Sequence, residues 1–349
     1  MSELKDLLEK LSNAHGISGY EGDIREIIRG EIEPYVDDVR VDRIGNIIGT
    51  KKGKNPSVMI AAHMDEIGLM AKYVDDKGFI RFVTVGGWFD QTLLSQRVIV
   101  SGKKGRINGV IGSKPPHRMD AEERKKPIKA DDMFIDIGAK NREDAEEMGV
   151  VPGSTVVIDM ELKELGNGKV TGKAFDNRAG VVMMIEALKR MKTDLTVYAV
   201  GTVQEEVGLK GAKTSAFGLN PDVAIATDVT IPGDHPGIEK KDASIEMGKG
   251  PSVNVLDASG RGLITPEPVL KWLCETANRN DIPIQLDVSS GGTTDATAIF
   301  LARDGIPSGG ISIPCRYIHS PVEVMDIEDL DKCAELIARA VECAGEFFK

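Results

Sequence analysis

The chain contains 349 residues, and its 44 Lys and Arg against 55 Asp and Glu give a formal net charge of −11. Hydrophobic residues make up 41% of the chain and charged residues 28%, so the composition excludes a disordered or fibrous protein. The acidic balance argues against a protein that binds the nucleic-acid backbone, and no stretch approaches the roughly 18 apolar residues of a membrane-spanning helix. This length predicts two domains, or one large domain with an insertion.

The N-terminal part of the chain combines helical and strand patterns. Apolar residues at helical spacing predict two helices before Pro34. Short β-rich runs follow at 39–42 and 46–50. The next run, at 58–63, is apolar on both faces, which is typical of a strand buried in a mostly parallel sheet.

The middle of the chain, residues 69–163, has a different pattern. Short strand-like runs are separated by turns, and the stretch at 114–132 is typical of an exposed loop. From residue 170 onward helices and strands alternate again, which predicts a sheet covered by helices on both faces. We predict an α/β fold with a mostly parallel mixed sheet, formed by residues 1–68 and 164–349, with an all-β domain inserted at 69–163.

Polar side chains follow five of the predicted strands. In open α/β sheets the reactive groups lie just beyond the carboxyl ends of the strands, so these side chains are expected to converge on one crevice. The residues are His63, Asp65, Asp176, Glu205, Glu206, Asp228 and His319. All are imidazoles or carboxylates without a thiolate, which indicates a metal site. A lone His or acidic pair is usually structural, but several together at strand ends favour a functional site.

The spacing of these residues suggests which of them bind a metal and which act as orienting groups or as a general base. His63 and Asp65 are two apart on an extended segment, so Asp65 can orient the ring of His63 while the other ring nitrogen binds a metal. Glu205 and Glu206 are adjacent and cannot point the same way. One can bind a metal while the other acts as general base. The number of carboxylates favours two metals that share a bridging ligand.

Other motifs carry less information. The segment GGTTDA at 291–296 either offers main-chain N–H groups to a substrate or provides Thr294 or Asp295 as a helix cap. Neither a phosphate-binding glycine fingerprint nor a GxSxG elbow is present, which argues against a nucleotide site and a serine hydrolase. The remaining histidines are typical of structural positions, with His235 the best candidate of these for a place near the site.

The four cysteines show no CxxC pairing: Cys274, Cys315, Cys333 and Cys343. Their spacing indicates neither a disulfide framework nor a thiolate zinc site. A reducing compartment suits such a chain, so we predict a cytoplasmic location.

Six motifs together resemble one protein family. They are AAHMDEIG at 61–68, AFDNRAG at 174–180, TVQEEVGLKGA at 202–212, ATDVT at 226–230, GGTTDA at 291–296 and PCRYIHSP at 314–321. In order and spacing they resemble the TET aminopeptidases, co-catalytic metal enzymes that include glutamyl, leucyl and deblocking aminopeptidases. The resemblance covers essentially the whole chain.

The resemblance implies a set of metal ligands. Asp176 would bridge two metal ions. His63 and Asp228 would complete the ligands of one metal, and Glu206 and His319 those of the other. The metals implied are zinc, with cobalt able to replace it.

The resemblance also implies catalytic roles. Glu205 would take the proton of a water activated by the two metals and pass it to the leaving amine. Asp65 would be the partner of His63. In related enzymes the residue after the bridging Asp often follows a cis peptide bond, so the bond between Asp176 and Asn177 is expected to be cis.

The inserted domain resembles a PDZ-like fold, which in the family makes dimer contacts. The resemblance therefore implies a homo-oligomer, a tetrahedral dodecamer built from dimers. Its substrates would be short peptides trimmed from a free N-terminus, and a bulky apolar N-terminal residue such as leucine is the expected preference.

Three other functions remain open at this stage. A related di-metal carboxypeptidase or amino-acid deacylase shares the ligand order, although such enzymes usually insert a helix-bearing lid. A glycosidase could use paired carboxylates without a metal. A metal-binding or scaffolding protein without activity is the third.

Overall fold

The computed structural model describes residues 2–349. Its helices are α1 (Ser2–Ser12), α2 (Gly22–Ile32), α3 (Arg142–Met148), α4 (Phe175–Arg190), α5 (Lys210–Leu219), α6 (Glu267–Arg279), α7 (Asp295–Phe300) and α8 (Ile327–Phe347). Its strands are β1 (Asp38–Val41), β2 (Ile47–Lys51), β3 (Lys54–His63), β4 (Gly68–Val74), β5 (Ile80–Val85), β6 (Arg97–Gly102), β7 (Gly105–Gly112), β8 (Phe134–Asp136), β9 (Thr155–Ile158), β10 (Lys163–Glu164), β11 (Lys169–Gly172), β12 (Leu195–Thr202), β13 (Val223–Thr230), β14 (Ser252–Leu256), β15 (Gln285–Val288), β16 (Ser308–Arg316) and β17 (Glu323–Asp326). None of the helices in this part of the chain is long and apolar enough to cross a membrane.

The larger sheet has the strand order β1-β2-β12-β3-β13-β16-β17-β11-β10, and β14 and β15 join it through β16. Strands β12, β3, β13 and β16 are parallel to one another. The outer pairs are antiparallel. The sheet is mixed, as predicted, but parallel pairing is limited to its centre and to the β14–β15 pair. Neighbours at the edges, such as β1 and β2, have short connections that antiparallel strands alone permit.

Strand β3 lies between two layers of helices. Val58, Ile60 and Ala62 pack in a core formed with α1, α2, α4, α6 and α8. Met59 and Ala61 point to the opposite face and pack with α5 and α7. Side chains alternate between the faces of a strand, so an apolar run on β3 requires cover on both sides. The predicted helix layers on both faces of the sheet are confirmed.

After β3 the chain leaves the sheet and forms a closed six-stranded barrel with the order β4-β5-β8-β7-β6-β9. The barrel has its own apolar core, which includes Leu69, Val98 and Ile135. The stretch at 114–132 is mostly exposed, as predicted. The likeness of the barrel to a PDZ domain stays a prediction.

The insertion is not all-β, and on this point the prediction is wrong. Helix α3 lies between β8 and β9. The Asn141 side chain caps it by accepting a hydrogen bond from the Asp144 N–H over 2.9 Å, and Gly149 ends it in the left-handed region with φ 104°. These are ordinary start and stop signals, but a helix of 7 residues is too short to show an apolar period in the sequence.

Candidate metal centre

Most of the predicted site residues lie at one edge of the sheet. They lie at or near the carboxyl ends of the four parallel strands: His63 ends β3, Asp228 lies two residues before the end of β13, Glu205 and Glu206 follow β12, and His319 follows β16. The carboxyl ends of parallel strands meet at the same edge, and this arrangement brings the side chains together.

Asp176 reaches the same edge from the start of α4. Asp176 and Asn177 have non-helical backbone angles there, and the peptide bond between them is cis, as expected. The Asn177 side chain donates to the carbonyl of Thr227 over 2.7 Å. The start of α4 is thereby attached to β13 next to Asp228.

The two carboxylate oxygens of Asp176 face different histidines. Oδ1 lies 3.1 Å from Nε2 of His63, and Oδ2 lies 3.2 Å from Nε2 of His319. On the second side, Nε2 of His319 is also 3.3 Å from Oε2 of Glu206. Asp176 therefore stands between two groups of polar side chains.

The first group gathers around His63. Its Nε2 lies 3.9 Å from Oε2 of Glu205 and 4.0 Å from Oδ1 of Asp228. One ligand atom each from His63, Glu205 and Asp228 lie within 4.8 Å of one another, and the same holds for His63, Asp176 and Glu206. Glu205 is thus close enough to count among the groups that could bind a metal.

These distances fit metal coordination. Two ligands of a tetrahedral zinc ion, each about 2.1 Å from the metal, lie about 3.4 Å apart. The distances from Asp176 to each histidine and from His319 to Glu206 are close to that value. The donors are all imidazole nitrogen or carboxylate oxygen, which zinc and related divalent ions accept.

The charge of the cluster also calls for cations. Burial raises the pKa of Glu205 well above its usual range; His63 opposes this shift, and Asp228 adds to it. Burial raises the pKa of Asp228 well above its usual range as well, and Asp176 contributes further. In the described chain the ion-pair partners of these carboxylates are histidines, not lysine or arginine. Crowded carboxylates of this kind are stable around cations.

Asp65 lies behind the candidate metal ligands and is fully buried. Its carboxylate accepts hydrogen bonds from Oγ of Ser18 over 2.6 Å and from the main-chain N–H groups of Glu205 and Glu206 over 3.0 and 3.2 Å. Nδ1 of His63 lies closer to the main-chain carbonyl of Asp65, at 3.1 Å, than to its carboxylate, at 3.6 Å. Asp65 is therefore placed to orient the Glu205–Glu206 turn as well as His63.

Sequence reasoning missed Glu323, which is buried at the start of β17. Its carboxylate accepts the main-chain N–H of Asp176 through Oε2 and that of His319 through Oε1, each over 3.0 Å. Glu323 thus fixes the backbone at Asp176 and His319, two candidate metal ligands that are far apart in the sequence. The available signal was an acidic residue at the start of a buried, otherwise apolar strand.

A buried ion cluster beside the site was also missed. Nζ of Lys173 lies 2.7 Å from Oε2 of Glu66, and Nη2 of Arg178 lies 3.4 Å from Oε1 of the same residue. Arg178 also donates to the carbonyl of Leu11 over 2.7 Å. The cluster joins α1, the start of α4, where Asp176 lies, and the segment directly after His63.

The inserted barrel supplies one wall of the site through a pair of glycines. A Cβ atom at Gly87 would lie 2.9 Å from Nδ1 of His319, and one at Gly86 would lie 3.4 Å from Oε2 of Glu206. The approach of Gly87 to His319 is closer than a side chain at that position would allow, whereas the distance at Gly86 is an ordinary contact.

The GGTTDA segment and His235 lie outside the cluster of candidate metal ligands. Oγ1 of Thr294 accepts the Ala296 N–H over 3.3 Å and caps α7, so the cap prediction for GGTTDA is confirmed. His235 lies outside the metal cluster and packs against the ring of Tyr317, with 5.5 Å between ring centroids. A cleft of about 880 Å³ extends from the metal centre along the loops at 229–243 and 287–294.

Comparison with known sequences shows relatives over nearly the whole chain. The sequence profile of the M42 glutamyl aminopeptidase family matches residues 45–336. A putative aminopeptidase of Acetivibrio thermocellus is 43% identical over 97% of this chain and 98% of its own length. A lysyl aminopeptidase of Pyrococcus furiosus is 36% identical over 97% of this chain and 96% of its own.

Solved structures give the same result. A TET aminopeptidase from the marine sediment archaeon Thaumarchaeota archaeon SCGC AB-539-E09 is 41% identical, with a TM-score of 0.94 over 98% of this chain and 96% of that one. The Pyrococcus horikoshii TET1 peptidase, described as able to assemble into a tetrahedron or a large octahedral shell, is 37% identical, with a TM-score of 0.88 over 97% of this chain and 99% of that one. The resemblance to the TET aminopeptidases is thus confirmed, and the chain belongs to the M42 glutamyl aminopeptidase family of peptide hydrolases.

Proposed function

We propose that this aminopeptidase removes N-terminal residues from short peptides with the help of two divalent metal ions held at the sheet edge. One observation carries the proposal: the two oxygens of Asp176 face different histidines, at 3.1 and 3.2 Å. A carboxylate that faces two separate donor groups is suited to bridge a metal pair.

Each metal has its own proposed ligands. His63 and Asp228 complete one set around Asp176, and Glu206 and His319 complete the other. The chemistry of the donors favours zinc, because imidazole and carboxylate without thiolate are typical of catalytic zinc sites. Cobalt is expected to replace zinc, since the same donors bind both ions.

Glu205 is the proposed general base. When bound, the two metals supply Lewis-acid polarisation of the peptide carbonyl and a lowered pKa for the attacking water. Glu205 takes a proton from that water and delivers it to the leaving amine. The hydrogen bond from its main-chain N–H to Asp65 holds Glu205 in place, and Asp65 also lies against the ring of His63.

The barrel is the proposed assembly domain. We assign residues 69–163 to dimer contacts, with residues 1–68 and 164–349 as the catalytic domain, and a dodecamer built from dimers as the assembly. Three apolar side chains on barrel strands, Tyr73, Val83 and Val110, are exposed in the single chain, which suits a surface that contacts another copy. The described assembly of the Pyrococcus horikoshii relative supports the same view. A cytoplasmic location is consistent with four unpaired cysteines.

A metal-reconstitution experiment tests this function. The chelated protein is loaded with zinc or cobalt, its metal content is measured by mass spectrometry, and hydrolysis of aminoacyl p-nitroanilides is compared with that of N-acyl amino acids. We expect two metals per chain and cleavage of the aminoacyl substrates only. Cleavage of N-acyl amino acids alone would indicate a deacylase or carboxypeptidase, and glycoside hydrolysis that survives chelation would indicate a glycosidase.

A further inference from the structure

The cleft beyond the metal centre carries negative charge without an opposing side-chain cation. Three carboxylates line it away from the metal centre, those of Asp242, Asp257 and Asp287, and no lysine or arginine within residues 2–349 lines it. Carboxylates that are removed from water are normally paired with donors or cations. Of the three, only Asp257 is buried; Asp287 is half-buried and Asp242 is exposed.

Asp257 is a buried carboxylate that lacks part of its hydrogen-bond partners. Its side chain is only 3% exposed, and Oδ1 accepts the main-chain N–H of Leu263. Oδ2 is buried and has no hydrogen-bond partner in the described chain, and the same is true of Oδ1 of Asn254, which also lines the cleft. Burial raises the pKa of Asp257 to about 6; the hydrogen bond from Leu263 opposes the shift, and Asp287 adds to it. Two acceptor atoms of residues that line the cleft thus lack a hydrogen-bond donor, although neither atom is open to the cleft in this structure.

Asp287 connects this acidic side of the cleft to the metal centre. Its Oδ2 accepts a hydrogen bond from Oγ1 of Thr230 over 2.8 Å. Thr230 lies two residues after Asp228 on β13, so both side chains point to the same face of the strand. At about 3.4 Å per residue the two positions are about 7 Å apart. Asp287 is therefore attached to the strand that carries Asp228, two residues along from it.

We propose that the acidic side of the cleft, formed by Asp257 and Asp287 with Asp242 at its margin, binds the basic side chain of a substrate's N-terminal lysine or arginine. The inference rests on the proposed aminopeptidase function. An ammonium or guanidinium group supplies both the positive charge and the N–H donors that Asp257 and Asn254 lack. A glutamate side chain would be repelled at the same place. The apolar preference that the sequence suggested therefore gives way to a basic one.

A matched pair of substrates tests the inference on the zinc-loaded enzyme. Lysyl p-nitroanilide and norleucyl p-nitroanilide have side chains of nearly equal length and differ mainly in the terminal ammonium group. We expect kcat/KM for the lysyl substrate to exceed that for the norleucyl substrate by about tenfold or more, because a buried carboxylate gains a partner. Arginyl p-nitroanilide should follow lysyl, and glutamyl p-nitroanilide should be the poorest of the four.

Two variants test whether Asp257 and Asp287 cause the preference for the lysyl substrate. Asp257→Asn and Asp287→Asn keep an acceptor oxygen for Leu263 and Thr230 but remove the charge. Each is expected to reduce the lysyl-to-norleucyl ratio of kcat/KM by about tenfold, since one carboxylate of the binding side is lost. Asp304→Asn removes the same charge from an exposed position away from the cleft and should leave the ratio unchanged.

The outcomes separate the inference from the function on which it rests. If the wild-type enzyme cleaves the norleucyl substrate as well as the lysyl one, and neither variant changes the ratio, the basic specificity is wrong while the aminopeptidase function stands. If the zinc-loaded enzyme cleaves no aminoacyl substrate at all, the proposed function itself fails. Circular dichroism confirms that both variants fold, and either variant alone is sufficient for the test.

Discussion

The main-chain N–H of Glu205 donates a hydrogen bond to Oδ1 of Asp65 over 3.0 Å. Asp65 follows β3 and Glu205 follows β12, its parallel neighbour in the sheet. The contact therefore joins the ends of two adjacent strands at the metal centre. The proposed base and the proposed ligand His63 therefore contact the same buried residue, Glu205 through the carboxylate of Asp65 and His63 through its main-chain carbonyl.

Replacement of Asp65 tests this dependence. Asp65→Asn places an NH2 group where one oxygen now accepts an N–H or hydroxyl hydrogen bond, so the Glu205–Glu206 turn loses an acceptor. We expect kcat to fall about 10–100-fold with zinc retained at high concentration, as measured by steady-state kinetics and metal analysis. Ser18→Ala is the control, because it removes one donor to Asp65 and leaves both main-chain contacts intact. An equal loss in both variants would contradict the argument.

Substitutions of the adjacent glutamates Glu205 and Glu206 are expected to affect different properties, kcat in one case and metal content in the other. Glu205→Gln removes a base and should lower kcat about 10²–10⁴-fold while two metals stay bound. Glu206→Gln removes a proposed ligand that lies 3.3 Å from His319, so it should release one metal. Metal content by mass spectrometry, measured beside kcat, distinguishes the two results. Loss of metal from Glu205→Gln with retention in Glu206→Gln would reverse the assignment.

Glu323 is expected to act on metal affinity through the backbone. Glu323→Gln replaces one of its two accepting oxygens with an NH2 group, so it cannot receive the N–H groups of both Asp176 and His319. We expect zinc affinity to fall about 10–100-fold, measured by competition with a chelating dye. Glu328→Gln, on the exposed surface of α8, is the matched control. Unchanged affinity would show that Glu323 does not position the ligands.

His15 is expected to make stability depend on pH. Burial, together with the charges of Arg106 and Lys173, lowers its pKa from 6.5 to about 4. The unfolded chain therefore binds this proton more readily, and the free energy of unfolding falls as the pH drops from about 6.5 toward 4. The loss is at most about 3 kcal/mol.

His15→Gln should lose less stability over that pH range, as measured by urea unfolding. The chelated protein is used for both, so that metal release at low pH does not contribute. His117→Gln, on the exposed barrel loop, should behave as the wild-type chain does. Parallel pH profiles for wild type and His15→Gln would refute the prediction.

The site was more predictable than the interactions that support it. The metal-ligand candidates follow parallel strands, and the geometry of parallel strands makes their ends meet, so their convergence follows from local patterns. Glu323 and the cluster of Glu66, Lys173 and Arg178 are different. Their partners lie far away in the sequence, and nothing in the local pattern of a buried charge identifies the residue that will neutralise it.

The specificity of the cleft was unpredictable for a similar reason. Asp257 follows β14 and Asp287 lies on β15, and these two strands pair in parallel at the side of the main sheet. The sequence analysis singled out neither residue, because isolated acidic side chains are usually solvated. Only the pairing of the two strands brings the carboxylates to one side of the cleft.

The glycines at 86 and 87 make the barrel part of the catalytic pocket. The barrel backbone at Gly87 lies so close to His319 that a Cβ there would meet its ring, so a displacement of the barrel would change the surroundings of this proposed ligand. Subunits that dock through the barrel would therefore act directly on the pocket wall. In such an assembly, quaternary packing becomes a mechanical control on turnover, and an isolated subunit is expected to differ from the assembled enzyme in rate as well as in size.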